Sequence, residues 1–155
     1  MGLTLQFVIG NKEAIINALK NFDFDSFSKL ENENRLADFS LHLIPDDLNL
    51  LVNAATELYQ VQNFGLRENL DTEVSYFDSE DSGAYLINSK IKTLFAAFED
   101  KDVLPLTKKW FDKMNMLHND NLGLTDSAIA SVKQLISICK DAERTGLDMV
   151  HTWYL

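Results

Sequence analysis

The sequence has few of the residues that form disulfides or flexible linkers: it has one cysteine, Cys139, two prolines and six glycines. A single cysteine excludes an intramolecular disulfide and is typical of a reducing compartment. So few prolines and glycines leave no segment with the composition of a flexible linker. At 155 residues the chain has the length of one domain. We therefore predict a single globular domain over residues 1–155.

Long apolar runs are also missing. No stretch approaches the roughly 20 apolar residues that a membrane-spanning helix needs. The first residues, Met1 to Ile9, lack the basic flank and the long apolar run of a signal peptide. We expect a cytoplasmic protein that does not associate with membranes.

Motifs that carry catalysis or nucleotide binding do not occur. There is no GxSxG elbow, no GxxxxGK[ST] loop and no GxGxxG loop. A zinc site needs three or four clustered His, Cys or carboxylate ligands, whereas His42, His118 and His151 are far apart in the sequence. Cys139 falls on the apolar stripe of a predicted helix, where cysteine usually acts as a small hydrophobic residue. We predict no catalytic residue, no metal and no cofactor, and a non-enzymatic role is favoured.

The segment from Asp78 to Gly83 resembles the beginning of a calcium-binding loop. Such a loop places oxygen ligands at positions 1, 3 and 5, glycine at 6 and a bidentate glutamate at 12. Position 12 is Ser89, which cannot supply that carboxylate. The flanking residues also favour strands, so we interpret the segment as an acidic hairpin turn.

Basic residues are absent from the 22 residues between Glu68 and Ser89, which contain six carboxylates. This segment supplies more than half of the formal net charge of −10. An acidic chain without a basic cluster repels the phosphates of nucleic acids, so we predict no nucleic-acid binding.

What the chain does contain is a substantial hydrophobic content, 46%, with ten Phe, four Tyr and two Trp, enough for a core. Apolar and β-branched residues predict strands at residues 3–9 and 147–155 and a hairpin over residues 73–87. Helical spacing of apolar residues predicts about five helices: residues 11–21, from Pro45 to about Tyr59, from Ser89, residues 102–117 with Pro105 in the first turn, and 125–145. The predicted fold class is α+β, with a small mixed or antiparallel sheet packed against these helices.

Two segments leave alternatives open. Residues 23–36 read as irregular or as a short helix. Residues 37–43 alternate apolar and polar, which favours a half-buried strand. The alternative is a loop that docks Phe39, Leu41 and Leu43 on the core and leads into the next helix.

The acidic segment and the aromatic residues beside it form the candidate binding site. A surface of this kind suits a basic protein partner, and an ordinary solvated hairpin has the same composition. The short, acidic, motif-free profile resembles small bacterial accessory proteins of the immunity or antitoxin kind, without any defined residues that carry the resemblance. The first hypothesis is a non-catalytic protein-binding module, such as an inhibitor or immunity-type protein, whose binding residues are Glu68, Asp71, Glu73, Tyr76, Asp78, Glu80, Asp81 and Tyr85.

Two alternatives remain. His42 and His151 both fall on predicted strands, so they could line the cleft of a small enzyme or ligand-binding domain. The third possibility is a structural or oligomeric protein whose charge serves solubility alone.

Overall fold

The computed structural model describes residues 2–60, 70–71 and 77–155 of the chain. In chain order the described elements are β1 (Thr4–Gly10), α1 (Lys12–Lys20), α2 (Phe24–Asn32), β2 (Leu36–Asp38), α3 (Pro45–Leu58), β3 (Leu70–Asp71), β4 (Phe77–Asp78), β5 (Ser82–Ile87), α4 (Ser89–Ala96), α5 (Asp100–His118), α6 (Asp126–Thr145) and β6 (Asp148–Tyr154). This is the predicted α+β class.

Every pairing between the described strands is antiparallel, and the sheet runs in the order β2-β1-β6-β5-β3, with β4 also paired to β5. β3 and β4 therefore occupy the edge of β5 that does not face β6. The predicted N- and C-terminal strands are confirmed and lie side by side at the centre, with Phe7 opposite His151. The described part of the predicted hairpin consists of β4, the turn at residues 79–81 and β5, while residues 73–76 lie outside the described residues.

The sheet has a different core on each face because side chains alternate along a strand. The major face carries Leu5, Phe7 and Ile9 and is covered by α3, α4, α5 and α6. The minor face carries Val8, Leu86 and Val150 and packs against α1 and α2. Among the described residues no helix is both long and apolar enough to span a bilayer.

Helix α2 resolves the ambiguity of residues 23–36. Asp23 caps it, since its carboxylate accepts the Ser26 N–H at 3.3 Å and the Ser26 hydroxyl at 2.7 Å. Its buried residue is Phe27, which joins the core of the minor face. The described chain thus has six helices, against the predicted five or so.

Residues 37–43 are a strand only at their start. β2 ends at Asp38, whose carboxylate accepts the Ser40 N–H at 2.9 Å and turns the chain. Phe39 is then fully buried, and Leu41 and Leu43 are partly buried against the major core. The predicted strand is therefore wrong beyond Asp38, and the docking loop describes the rest.

Two helix starts differ from the prediction. Helix α4 is capped by Asn88, not Ser89, because the Asn88 side chain accepts the Lys90 N–H at 2.9 Å. Helix α5 begins at Asp100, where the Asp102 carboxylate accepts the Glu99 N–H at 2.8 Å. Pro105 consequently lies inside the helix and not in its first turn.

Candidate functional site

The acidic turn between β4 and β5 presents three carboxylates of the predicted site to solvent. Asp78, Glu80 and Asp81 are all exposed. In the described part of the chain, the side-chain ion pairs involve other carboxylates: those of Asp47, Glu57, Glu99 and Asp141. Three negative charges therefore stand on one turn without a described cation paired to them.

Hydrogen bonds hold the backbone of this turn. The Ser79 N–H and hydroxyl both donate to the Ser82 carbonyl at 2.8 Å, and the Ser79 hydroxyl accepts the Ser82 N–H at 3.1 Å. The Asp81 carbonyl accepts the Leu155 N–H at 2.9 Å. The turn is thus tied both to itself and to the residue that follows β6.

Tyr85 of β5 lies beside the acidic turn. It is half-buried on the major face, and its hydroxyl donates to the Asp78 carboxylate at 3.3 Å. Its ring stacks on His151 with 6.1 Å between centroids. The structure therefore places the Tyr85 ring directly beside the Asp78 carboxylate.

The other predicted site residues are less defined. Asp71 lies in β3, where its backbone pairs with Leu86. Glu68, Glu73 and Tyr76 lie outside the described residues.

His42 and His151 do not form the predicted pair. His42 is exposed in the loop after β2, with a left-handed backbone at φ 60°. His151 is buried in β6, where its Nδ1 donates to the Gln6 carbonyl at 3.1 Å and its ring stacks on Phe7. Since β1 separates β2 from β6, a cleft shared by these two histidines is not what the fold builds. His151 is instead a hydrogen-bonded sheet residue.

The remaining titratable candidates are structural. Cys139 is fully buried, and burial strongly raises the pKa of its thiol, which keeps it protonated. His118 Nε2 lies 2.7 Å from the Asp47 carboxylate and links the end of α5 to the start of α3. Within the described ranges no group of three His, Cys, Asp or Glu side chains is arranged to hold a metal ion.

A cavity of about 500 Å³ lies between α2 and the minor face of the sheet, and the sequence did not reveal it. Phe24 and Phe27 of α2 and Tyr154 of β6 form its aromatic wall. The Tyr154 ring centroid lies 5.1 Å from that of Phe24 and 6.2 Å from that of Phe27.

The floor of the cavity is polar. Thr4 and Gln6 of β1 line it, and the Gln6 side chain is only 9% exposed. Gln6 Oε1 has no hydrogen-bond partner among the described residues. A buried polar atom without a hydrogen bond destabilises the folded protein unless a donor reaches it.

Burial raises the pKa of Tyr154, and the nearby carboxylates of Asp38 and Glu31 raise it further. The side chains of Thr4 and Gln6 act in the opposite direction through hydrogen bonds to the phenol. The hydroxyl therefore stays neutral and sits in a negative field on the cavity wall.

The signal for this cavity was weak in the sequence. Phe24 and Phe27 are spaced for one helical face, and Thr4, Gln6 and Tyr154 share one strand face. Their meeting depends on where α2 docks, which no local pattern specifies.

The comparisons with known proteins provide no template for either site, because no family model, no curated protein and no solved structure matches the chain.

Proposed function

We propose that the protein is a non-catalytic binding module that engages a basic protein through the acidic turn at Asp78, Glu80 and Asp81. The observation that carries this proposal is the exposure of three carboxylates on one hydrogen-bonded turn. A preformed turn loses little conformational freedom on binding. Tyr85, held against Asp78, adds an aromatic ring to the same surface.

The charge of the whole chain supports the same role. A net charge of −10 attracts a cationic protein at long range and raises the rate of encounter. Inhibitor or immunity-type action in the cytoplasm needs only such a surface, because masking a basic partner requires no chemistry. The partner class is therefore a protein with a compact basic patch.

The test uses capture and charge removal. Wild-type protein, the variant D78N/E80Q/D81N and the control E13Q/E33Q/D112N are immobilised and exposed to lysate at low salt. Both variants lose three negative charges, and the control carboxylates are exposed residues of other elements. We expect a basic protein to be retained by the wild type and the control and lost by D78N/E80Q/D81N.

The kinetics with the captured protein complete the experiment. The electrostatic screening length shortens from about 30 Å at 0.01 M salt to about 8 Å at physiological ionic strength. The association rate should then fall by about tenfold or more while dissociation changes little. Retention by all three proteins alike, or by none, would show that the turn is only a solubilising surface.

A further inference from the structure

We infer that the cavity between α2 and the minor face of the sheet binds a small molecule with a flat apolar body and a protonated amine. The cavity is lined by other side chains than those of the acidic turn, although Leu155 lines it and donates its N–H to the Asp81 carbonyl. The inference does not depend on the function proposed for that turn. Its ligand class follows from three features of the lining: the aromatic wall, the buried acceptor and the sign of the charge.

The volume and wall specify the apolar body. A cavity of about 500 Å³ lies within the roughly 300–1,000 Å³ of small-molecule sites and exceeds what one inserted side chain would fill. Phe27 is anchored in the minor core, whereas Phe24 is 44% exposed and stands at the opening. A planar ring can therefore enter beside Phe24 and stack against Tyr154.

The floor specifies a hydrogen-bond donor. Gln6 lines the cavity and is more than nine-tenths buried, and its buried Oε1 has no hydrogen-bond partner among the described residues. If the Gln6 amide turns toward the cavity, a ligand N–H can bond this oxygen and remove the desolvation penalty of the free protein. Binding and the relief of that penalty are thus coupled.

The charge specifies a cation. Glu31 is the charged side chain among the described lining residues, and no lysine, arginine or histidine lines the cavity with it. Asp38 adds a second carboxylate field, since both residues act on Tyr154. An ammonium group is also attracted to the faces of the aromatic rings, which repel an anion.

The probes are tryptamine, tryptophol and indole-3-acetate, which share one ring system and carry a positive, no and a negative charge at neutral pH. Each is titrated into 15N-labelled protein. We expect tryptamine to shift the amide signals of Thr4, Gln6, Phe27 and Tyr154 and to bind about tenfold more tightly than indole-3-acetate. Equal affinities for the two, shifts confined to other residues, or no shifts with tryptamine would overturn the proposal.

Matched variants locate the charge. Glu31→Gln should weaken tryptamine binding several-fold and leave tryptophol unchanged. Glu33→Gln removes the same charge two residues further along, at the end of α2 and outside the lining, and should leave both affinities as they are. An equal effect of the two variants would mean that the attraction is only that of the acidic molecule.

A second variant tests the buried acceptor. Gln6→Leu keeps a similar volume and removes Oε1, so it should weaken tryptamine and tryptophol together, with thermal melting as the check on folding. Unchanged affinity in a folded Gln6→Leu protein would exclude Gln6 from the site. Should that variant not fold, the Glu31 and Glu33 pair still decides the proposal.

Discussion

Gly83 in β5 shows how a single side-chain position controls the packing of two strands. It lies opposite Trp153 of β6, and the indole covers it on the major face. A Cβ built at Gly83 would lie 2.2 Å from Trp153 Nε1 and 2.7 Å from Cε2. No side chain larger than hydrogen can stand there while the indole keeps its place.

We predict that Gly83→Ala destabilises the protein by about 1–3 kcal/mol, because the large indole must shift within a packed core. Gly123→Ala is the matched control, since nothing lies within 4 Å of its Cβ. Urea unfolding followed by Trp fluorescence measures both variants. Equal stabilities for the two would mean that Trp153 moves aside at no cost.

Residues whose role is set by neighbours in sequence were predictable. Asn11 and Thr125 were expected at helix starts, and their side chains accept the N–H groups of Ala14 and Ala128. Gly146 follows the last helix with a left-handed φ of 70°, a conformation that glycine adopts without strain at a helix end. Asn88 and Ser89 are both capping types, so their order could not be decided before the backbone was known.

At the scale of elements, Glu57 joins two helices of the major face. It lies near the end of α3 and forms ion pairs with Lys113 and Lys109 of α5. Hydrogen bonds from Lys113, and then from Lys109, lower the pKa of the Glu57 carboxyl. The lowered pKa means that the pair stabilises the fold at pH values above about 4.5, the ordinary glutamate value, and that this contribution is lost as the pH falls through the folded-state pKa.

We predict that Glu57→Gln lowers the free energy of unfolding by about 0.5 kcal/mol at pH 7, a small value because water screens a partly exposed pair. At pH 3 the variant and the wild type should differ much less. Glu13→Gln, an exposed residue of α1, corrects for the charge removed. A loss of equal size at both pH values would contradict an ionic origin.

The elements themselves were largely predictable, while their contacts were not. Strong periodicity specified α3, α6 and the two central strands. The strand predicted for residues 37–43 was wrong beyond Asp38 because the alternation of Phe39, Leu41 and Leu43 reflects docking onto a core and not strand pairing. The sequence did not predict the cavity for a related reason: Gln6 has the pattern of an ordinary strand residue, and only the position of α2 above it forms a cavity there.

The candidate binding surface was predictable only as a charge pattern. The exposure of Asp78, Glu80 and Asp81 follows from turn chemistry, and their positions match the prediction. Whether His42 and His151 lie close together depends on strand order, and β1 lies between β2, which precedes His42, and β6, which contains His151. Sequence patterns give no direct measure of that order.

At the scale of the whole molecule, the two cores share the same strands. Phe7 and Ile9 belong to the major core and Val8 to the minor one, and Met149 and Val150 divide in the same way. β6 is central, paired with β1 on one side and β5 on the other. The central strands therefore contribute side chains to both cores, which couples the packing of the two faces.

We therefore predict one cooperative unfolding transition for the entire chain, with equal calorimetric and van't Hoff enthalpies. Leu19 of α1 is fully buried in the minor core and Leu106 of α5 in the major core, so Leu19→Ala and Leu106→Ala probe the two faces separately. Each should cost about 2–5 kcal/mol and lower the melting temperature of the same single transition. If Leu19→Ala instead produced an early step that left the near-ultraviolet signal of Trp110 intact, α1 and α2 would form a unit that unfolds independently of the major core.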